Sequence, residues 1–269
     1  MKSGIRRIFP AFIFATLLVS VLACGSTPAT PTATATEALT PTQTSLPTQT
    51  PVPLYQSVTL TSVARNETSQ APAPVYTLKA QIPALQGSSD VRVTGFNNEM
   101  VLLTQEEVAK FKDNAAEVRV PAGSTGSSYD QQYKLLSPPG NLISLQFQIK
   151  LFIYQTSRPK THSRTVNYDL EAGVDVTMKQ LFLPGSDYLA RISNYCITEL
   201  KTRPIDFESY YNGAQPGPEN YGNWNITPSG LQITFDENQV AATEQEVVIP
   251  YTELKADIDP HGALAGFIP

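Results

Sequence analysis

At 269 residues the chain is long enough for one or two domains. Its 41% hydrophobic content and 22 prolines average over two unlike regions, because the prolines crowd toward the N-terminus. The formal charge is −5, and setting aside Lys2, Arg6 and Arg7, which lie in a segment expected to be removed, 16 basic residues face 24 acidic ones. So acidic a body excludes nucleic acid, whose phosphates require a basic face, and makes polyanions poor ligands.

Lys2, Arg6 and Arg7 form a positive n-region ahead of an apolar run of roughly fifteen residues, Ile8 to Leu22. A spanning helix needs about 20 apolar residues, so this run reads as the core of a signal peptide. It ends in Val21-Leu22-Ala23-Cys24-Gly25, which resembles the bacterial lipobox. The resemblance implies cleavage before Cys24 and acylation of its thiol and new amino terminus. Each buried methylene adds about 0.8 kcal/mol of membrane affinity, so several chains anchor firmly. From Gly25 to Pro53 the chain is Thr, Pro, Ala, Ser and Gln, with Glu37 as its single charge. Such a stretch buries too little apolar surface to offset its ordering entropy and is expected to be a disordered, extended stalk.

The folded body is expected to begin at Leu54. Val58, Leu60 and Ser62 alternate with polar neighbours, and Val75–Ile82 alternate again, predicting two strands, the second ended by Pro83. Thr104 followed by Glu107 has the form of a capping box, and Val108, Phe111 and Ala115 make one apolar face. These predict a helix from about 97 to 117, kinked near Thr104. Residues 120–140, rich in Gly, Ser and Pro, read as loop with a short strand near Tyr133–Leu136. The GSTGSS run within them lacks the lysine and following helix of a phosphate-binding loop. In Leu142–Thr156, Leu145, Phe147, Ile149, Leu151 and Ile153 fall on one face, the period of a half-buried antiparallel strand. Turn-like residues 157–164 lead to a hairpin partner at Thr165–Leu170, then a turn at Glu171-Ala172-Gly173. A helical turn at Thr177–Phe182 precedes Pro184-Gly185, after which Ser186 or Asp187 caps a helix running to about Lys201. An aromatic loop, ESYYNGAQPGPENYGNWN, is followed by strands at Leu231–Phe235 and Val247–Ile249 and a short helical turn after Pro250.

Chemistry is sparse along this chain. His162 and His261 are the only histidines, with no carboxylate or thiol at metal-ligand spacing, so no metal and no cofactor is expected. His162, between Arg158, Lys160 and Arg164, reads as a solvated turn residue. Cys196 falls among Leu189, Ile192 and Leu200 at helical spacing and reads as a small core hydrophobe. Asp169, Glu171 and Asp175 around Gly173 lack the spacing of a calcium loop and read as turn carboxylates. Tyr210, Tyr211 and Tyr221 are the candidate ligand-binding residues, since aromatic faces stack on sugars; the competing reading is a loop that covers the sheet with its rings partly buried, Trp224 above all.

VNYDLEAGVDVTMKQLFLPGSDYLARI, NWNITPSGLQITFDENQVA and EVVIPYTELK together resemble the landmarks of a bacterial extracytoplasmic domain of unknown function. That domain forms the outer part of RsiV-like anti-sigma factors and also sits beside polysaccharide deacetylase domains. Upstream, LKAQIPALQGSSDVRVTGFNNEMV is similar to the module that precedes it, so the resemblance covers about residues 75–258. It implies an α+β fold, antiparallel sheets with two main helices packed on one face. The expected division is a signal peptide at 1–23, a stalk at 24–53, an N-terminal half at 54–165 and an RsiV-like half at 166–269. Only about seven residues precede the apolar run, so no cytoplasmic sigma-binding segment is expected. Asn238 and Ala242-Thr243-Glu244 stand where the family shows an aromatic and a glycine. The expected function is that of a non-enzymatic binding protein anchored by lipid to the outer face of the bacterial membrane. Its expected ligand is a cell-wall glycan or a secreted protein such as lysozyme. The alternative is a cell-wall polysaccharide hydrolase working through Asp169, Glu171 or Asp236, which requires two carboxylates about 5–9.5 Å apart across a cleft.

Overall fold

The structure, a computed structural model, describes residues 52–72, 74–137 and 140–267. The expected signal peptide, Cys24 and nearly all of the expected stalk lie outside the described residues. Residues 50–269 form one compact unit. In chain order it contains α1 (Leu54–Ser57), β1 (Thr59–Ser69), β2 (Tyr76–Gln86), α2 (Val91–Ala116), β3 (Ser127–Leu135), β4 (Leu142–Phe152), β5 (Lys160–Asp169) and β6 (Val174–Asp175). After a 3-10 turn at Met178–Leu181 come α3 (Tyr188–Leu200), α4 (Phe207–Gly213), β7 (Trp224–Ile226), β8 (Leu231–Phe235), β9 (Gln245–Ile249) and α5 (Tyr251–Leu254). The fold is α+β, as expected. Strands β1 to β6 make one sheet in sequence order and β7 to β9 a second; every pairing is antiparallel except β2 with β3. No helix among the described residues is long and apolar enough to cross a membrane.

Each main helix covers one face of its own sheet. Val93, Phe96, Met100, Val108, Phe111 and Ala115 of α2 share a core with Leu78, Tyr129, Leu145, Phe147 and Ile149. Ile192, Cys196 and Leu200 of α3 share a second core with Leu231, Ile233, Phe235, Val247 and Ile249. Where strand register is concerned, period-2 alternation decides everything. Leu145, Phe147 and Ile149 of β4 point at α2, while Ser144 and Gln146 point at the second sheet and are also buried. The strand expected to be half-buried is therefore covered on both faces.

Several expected boundaries move, each for a physical reason. Helix α2 starts at Val91, not 97, with Asp90 as N-cap accepting from the Arg92 amide. Thr104 and Glu107 cap nothing and lie buried in mid-helix, where Thr104 accepts a hydrogen bond from Gln131 Nε2. Strand β2 runs through Pro83, which lies beyond Ala80, the last residue of β2 paired to β3. Only one side of the strand is laddered there, so the missing N–H is tolerated. The expected loop 120–140 contains β3 from Ser127. At Gly126 φ is +72° and a Cβ would lie 2.2 Å from the Val75 carbonyl oxygen, so only glycine lets the chain enter beside β2. Strand β5 begins at Lys160, inside the expected turn, and the expected division at 165/166 falls within it.

The two sheets meet through a polar seam. Asn167 Oδ1 accepts from Ser144 Oγ at 2.7 Å and from the Ile226 amide at 3.1 Å, and its Nδ2 donates to the Trp224 carbonyl at 2.8 Å. Asn225 Nδ2 donates to Ser144 Oγ and to the Leu145 carbonyl, both at 2.9 Å. The Trp224 amide finds Thr165 Oγ1 at 3.1 Å. Side chains of β4 and β5 thus supply partners for an edge strand that belongs to the other sheet. Replacing Asn167 by Ala strands the Trp224 carbonyl and the Ser144 hydroxyl proton in a buried layer, and leaves the Ile226 amide with Ser144 Oγ at 3.0 Å as its acceptor. The variant is expected to lose about 2–4 kcal/mol of unfolding free energy in urea titrations followed by the fluorescence of the single tryptophan. A loss below about 0.5 kcal/mol would show that water replaces these bonds at little cost.

Candidate functional site

The strongest concentration of charged side chains lies where α2, β5 and the β8–β9 loop converge on a cleft of about 490 Å³. Its floor is Glu107, placed by α2 beside Val108 and Phe111 and only 5% exposed. The alternation of β5 turns His162 and Arg164 toward α2, while Ser163, Thr165 and Asn167 face the second sheet. Residues 236–238 close the cleft from the end of β8. Asn238 takes φ +69°, a left-handed conformation that asparagine tolerates better than most side chains and that reverses the chain at the lip. The Asp236 and Glu237 carboxylates accept the outward amides of Ser163 and Thr161 at 2.7 and 3.1 Å, finishing the free edge of β5.

Sequence reasoning missed this site. His162 is no turn residue: it lies within β5, with Nε2 3.0 Å from Glu107 Oε2. The signal lay in the alternation of β5, but the predicted turn at 157–164 hid it. Of the carboxylates considered for hydrolysis, Asp236 is held apart from Asp169 and Glu171, which share one turn. Asp236 bonds at Ser163, whereas Asp169 lies six residues further along β5, roughly 20 Å at the rise of a strand. Asp169 accepts its own turn amides from Glu171 and Ala172, and Glu171 accepts from Asn141. Asp175 hydrogen-bonds Glu99 on α2, whose carboxyl is pushed up to about 7 by burial and by this like-charged neighbour.

The aromatic candidates divide. Tyr210 and Tyr221 are 5% and 2% exposed, and the Tyr221 hydroxyl donates to the Ala214 carbonyl at 2.6 Å, so both belong to the second core rather than to a platform. Tyr211 alone is at the surface, 43% exposed and stacked on Phe207, which the sequence reading passed over. Trp224 is buried. Cys196 is fully buried, and burial pushes its thiol up to about 12, the setting of a core residue rather than a nucleophile.

In the cleft, Arg164 donates Nε and Nη2 to Glu107 Oε1 at 2.9 and 2.8 Å, and Lys110 Nζ lies 3.4 Å from the same oxygen. The His162 hydrogen bond, and after it the Arg164 guanidinium, outweigh burial and pull Glu107 down to about 2 from its usual 4.5. The depressed pKa means that Glu107 stabilises the fold fully above about 4.5 and ceases to as pH falls through about 2. His162, Arg164 and Lys110 keep 30%, 45% and 51% of their side chains in water, so each is resolvated once Glu107 is lost. Glu107→Gln is therefore expected to cost about 1–3 kcal/mol at pH 7, less than breaking a fully buried pair. Urea unfolding of both proteins at stepped pH checks this: the gap between them should narrow as pH falls from 5 to 2. A gap independent of pH would mean that packing, not charge, is what Glu107 supplies.

Comparison with known proteins places this architecture. Residues 179–252 match the family model described as a protein of unknown function, DUF3298. Peptidoglycan-N-acetylmuramic acid deacetylase PdaC of Bacillus subtilis (strain 168) is 24% identical over 157 residues, 56% of this chain and 33% of that protein. The chain thus matches about a third of that relative's length. A DUF3298 family member from Bacteroides fragilis NCTC 9343 superposes with a TM-score of 0.56 at 12% identity, covering 76% of this chain and 94% of that one. A DUF3298 family protein from Pseudomonas aeruginosa PAO1 gives 0.52 at 12% identity, covering 76% and 95%. The solved structures share the α+β fold. From the 3-10 turn through the start of α5, residues 179–252, the chain carries a DUF3298 domain, and it is related to part of a peptidoglycan deacetylase.

Proposed function

We propose that this protein is a non-enzymatic binding module, tethered by lipid at Cys24 to the outer face of the membrane, whose ligand is a component of the cell wall. One observation carries the reading: the carboxylates of the cleft all serve as acceptors for the protein's own donors. An acid–base pair needs a carboxylate free to exchange a proton with substrate, in reach of a second one. Here Glu107 is locked by His162 and Arg164, and Asp236 and Glu237 finish a strand edge. A cleft so arranged holds a ligand without reacting with it. The relation to part of a peptidoglycan deacetylase supports the wall as the place of action. The lipobox-like Val21–Gly25, the Thr/Pro stalk and the resemblance to RsiV-like ectodomains support display outside the membrane.

Two experiments test the reading. Cys24→Ala is expected to abolish incorporation of radiolabelled palmitate into the protein in growing cells; undiminished labelling would end the lipid-anchor reading. The full-length protein in mild detergent is expected to sediment with purified peptidoglycan sacculi. If it stays in the supernatant with sacculi but is retained on immobilised lysozyme, its ligand is a secreted protein and the wall reading fails.

A further inference from the structure

The cleft of Glu107 has spent its acceptors and kept its donors. Glu107 Oε1 takes Arg164 and Lys110, and Oε2 faces His162. Asp236 Oδ1 takes the Ser163 amide and Oδ2 takes Asn223 Nδ2 at 3.1 Å. Glu237 Oε2 takes the Thr161 amide, and Oε1 is paired with Arg158. Every carboxylate that lines the cleft is thus engaged by donors or cations of the protein itself. The cations are not saturated. Arg164 has five N–H groups and spends two of them, and Lys110 keeps about half of its side chain in water. Lys160, at the exposed start of β5, makes no ion pair among the described residues.

Position sharpens the asymmetry. Glu107 at 5% exposure is the floor, whereas Arg164 and Lys110 at 45% and 51% form the wall and lip. Apart from Glu106, which is exposed and paired with Lys110, the most exposed charged groups of the wall and lip are N–H donors. The side chains of Asn114 and Asn238 also line the cleft without hydrogen bonds among the described residues, and offer both donors and acceptors to hydroxyl or amide groups. The volume of about 490 Å³ lies in the range of small-ligand sites, about 300–1,000 Å³. Among the described residues one lining cation, Lys160, has no carboxylate of its own. Asp236 is likewise the one lining carboxylate bonded only by neutral donors, so Lys110, Lys160 and Arg164 balance Glu107, Asp236 and Glu237, and the N–H groups left over suit no more than a monoanion. In an acidic body, a dianionic phosphate would bring more charge than this cleft offsets.

We infer that the cleft binds a carboxylate carried on an amino sugar, with Lys160 and the free N–H groups of Arg164 holding the carboxylate and Asn114 and Asn238 facing the ring substituents. This inference rests on the binding-module reading and gives it a ligand class. N-acetylmuramic acid is the apt probe, because it adds a carboxylate-bearing ether to the ring of N-acetylglucosamine and changes nothing else in that ring. Microscale thermophoresis of the full-length protein with N-acetylmuramic acid, N-acetylglucosamine and inorganic phosphate reads the inference directly. N-acetylmuramic acid is expected to bind about ten-fold or more tighter than N-acetylglucosamine, the value of one charge-assisted contact. Lys160→Gln, at an exposed position, is expected to remove about that preference while leaving the unfolding midpoint unchanged. Equal binding of the two sugars, an unchanged preference in Lys160→Gln, or phosphate binding more tightly than N-acetylmuramic acid would each overturn the carboxylate assignment. Sedimentation with sacculi that persists beside a flat sugar titration would overturn this inference alone. A normal sugar titration without sedimentation would overturn the wall reading and leave the carboxylate site standing.

Discussion

Strand β7 has three residues and would be a poor edge for any sheet. Its exposed amides and carbonyl are satisfied by side chains of β4 and β5, chiefly Asn167, Ser144 and Thr165, and Asn225 returns the contact to the Leu145 carbonyl. Buried polar groups are costly when unpaired and directional when paired, so this seam specifies one docking of the two sheets rather than merely favouring contact. An apolar interface of the same size would tolerate sliding by a residue or two. The seam does not, because a shift of one residue exchanges Ser163, Thr165 and Asn167 for the side chains of β5 that meet α2.

The same strand makes the cleft. On β5, residues 163, 165 and 167 serve the seam, and residues 162 and 164 reach Glu107 on the opposite side. The amide edge between those faces is closed by Asp236 and Glu237 of the second sheet. Seam, cleft and edge closure therefore depend on one register. Helix α2 is held to that register twice, by Glu107 through His162 and Arg164 and, a helix length away, by the Arg92 carbonyl accepting from the Tyr168 hydroxyl at 2.9 Å. The buried glutamate keeps two cations upright at the cleft wall that would otherwise sample water freely.

What was legible in the sequence was whatever repeats locally. Helix α3 with Asp187 before it, the odd residues of β8 and the buried thiol of Cys196 follow from spacing alone. The limits of α2 were obscured because Thr104 and Glu107 imitate a helix start, whereas the Asp90 cap lies after Ser88-Ser89 in what looks like loop. Strand β3 was obscured because a parallel partner of β2 must arrive through a glycine turn, and glycine and serine imitate a linker. The cleft was out of reach for a different reason. Glu107, His162, Arg164 and Asp236 are drawn from three separate elements, and no short-range pattern joins a helix midpoint to a strand and a loop 130 residues away. The tyrosines divide because residue type says nothing of direction: Tyr210 turns into the second core and its neighbour Tyr211 turns out.

The β8–β9 loop is where this fold has room to vary. Its inner anchors are fixed: Val240 is buried in the second core, and Gln239 Nε2 donates to the Gly213 and Asn220 carbonyls at 3.1 and 2.9 Å. Asn238, one residue earlier, is exposed at the cleft lip and carries the left-handed turn that a glycine would make at lower cost. Asparagine here accepts a small strain and in return places an amide beside the donors of Lys160 and Arg164. Substitutions at 238 alter the rim while the floor at Glu107 and the anchors at 239 and 240 stay in place. A fold whose sheets are locked by a polar seam can change what its cleft presents without changing how its sheets dock. The two demands fall on different residues of one strand and one loop.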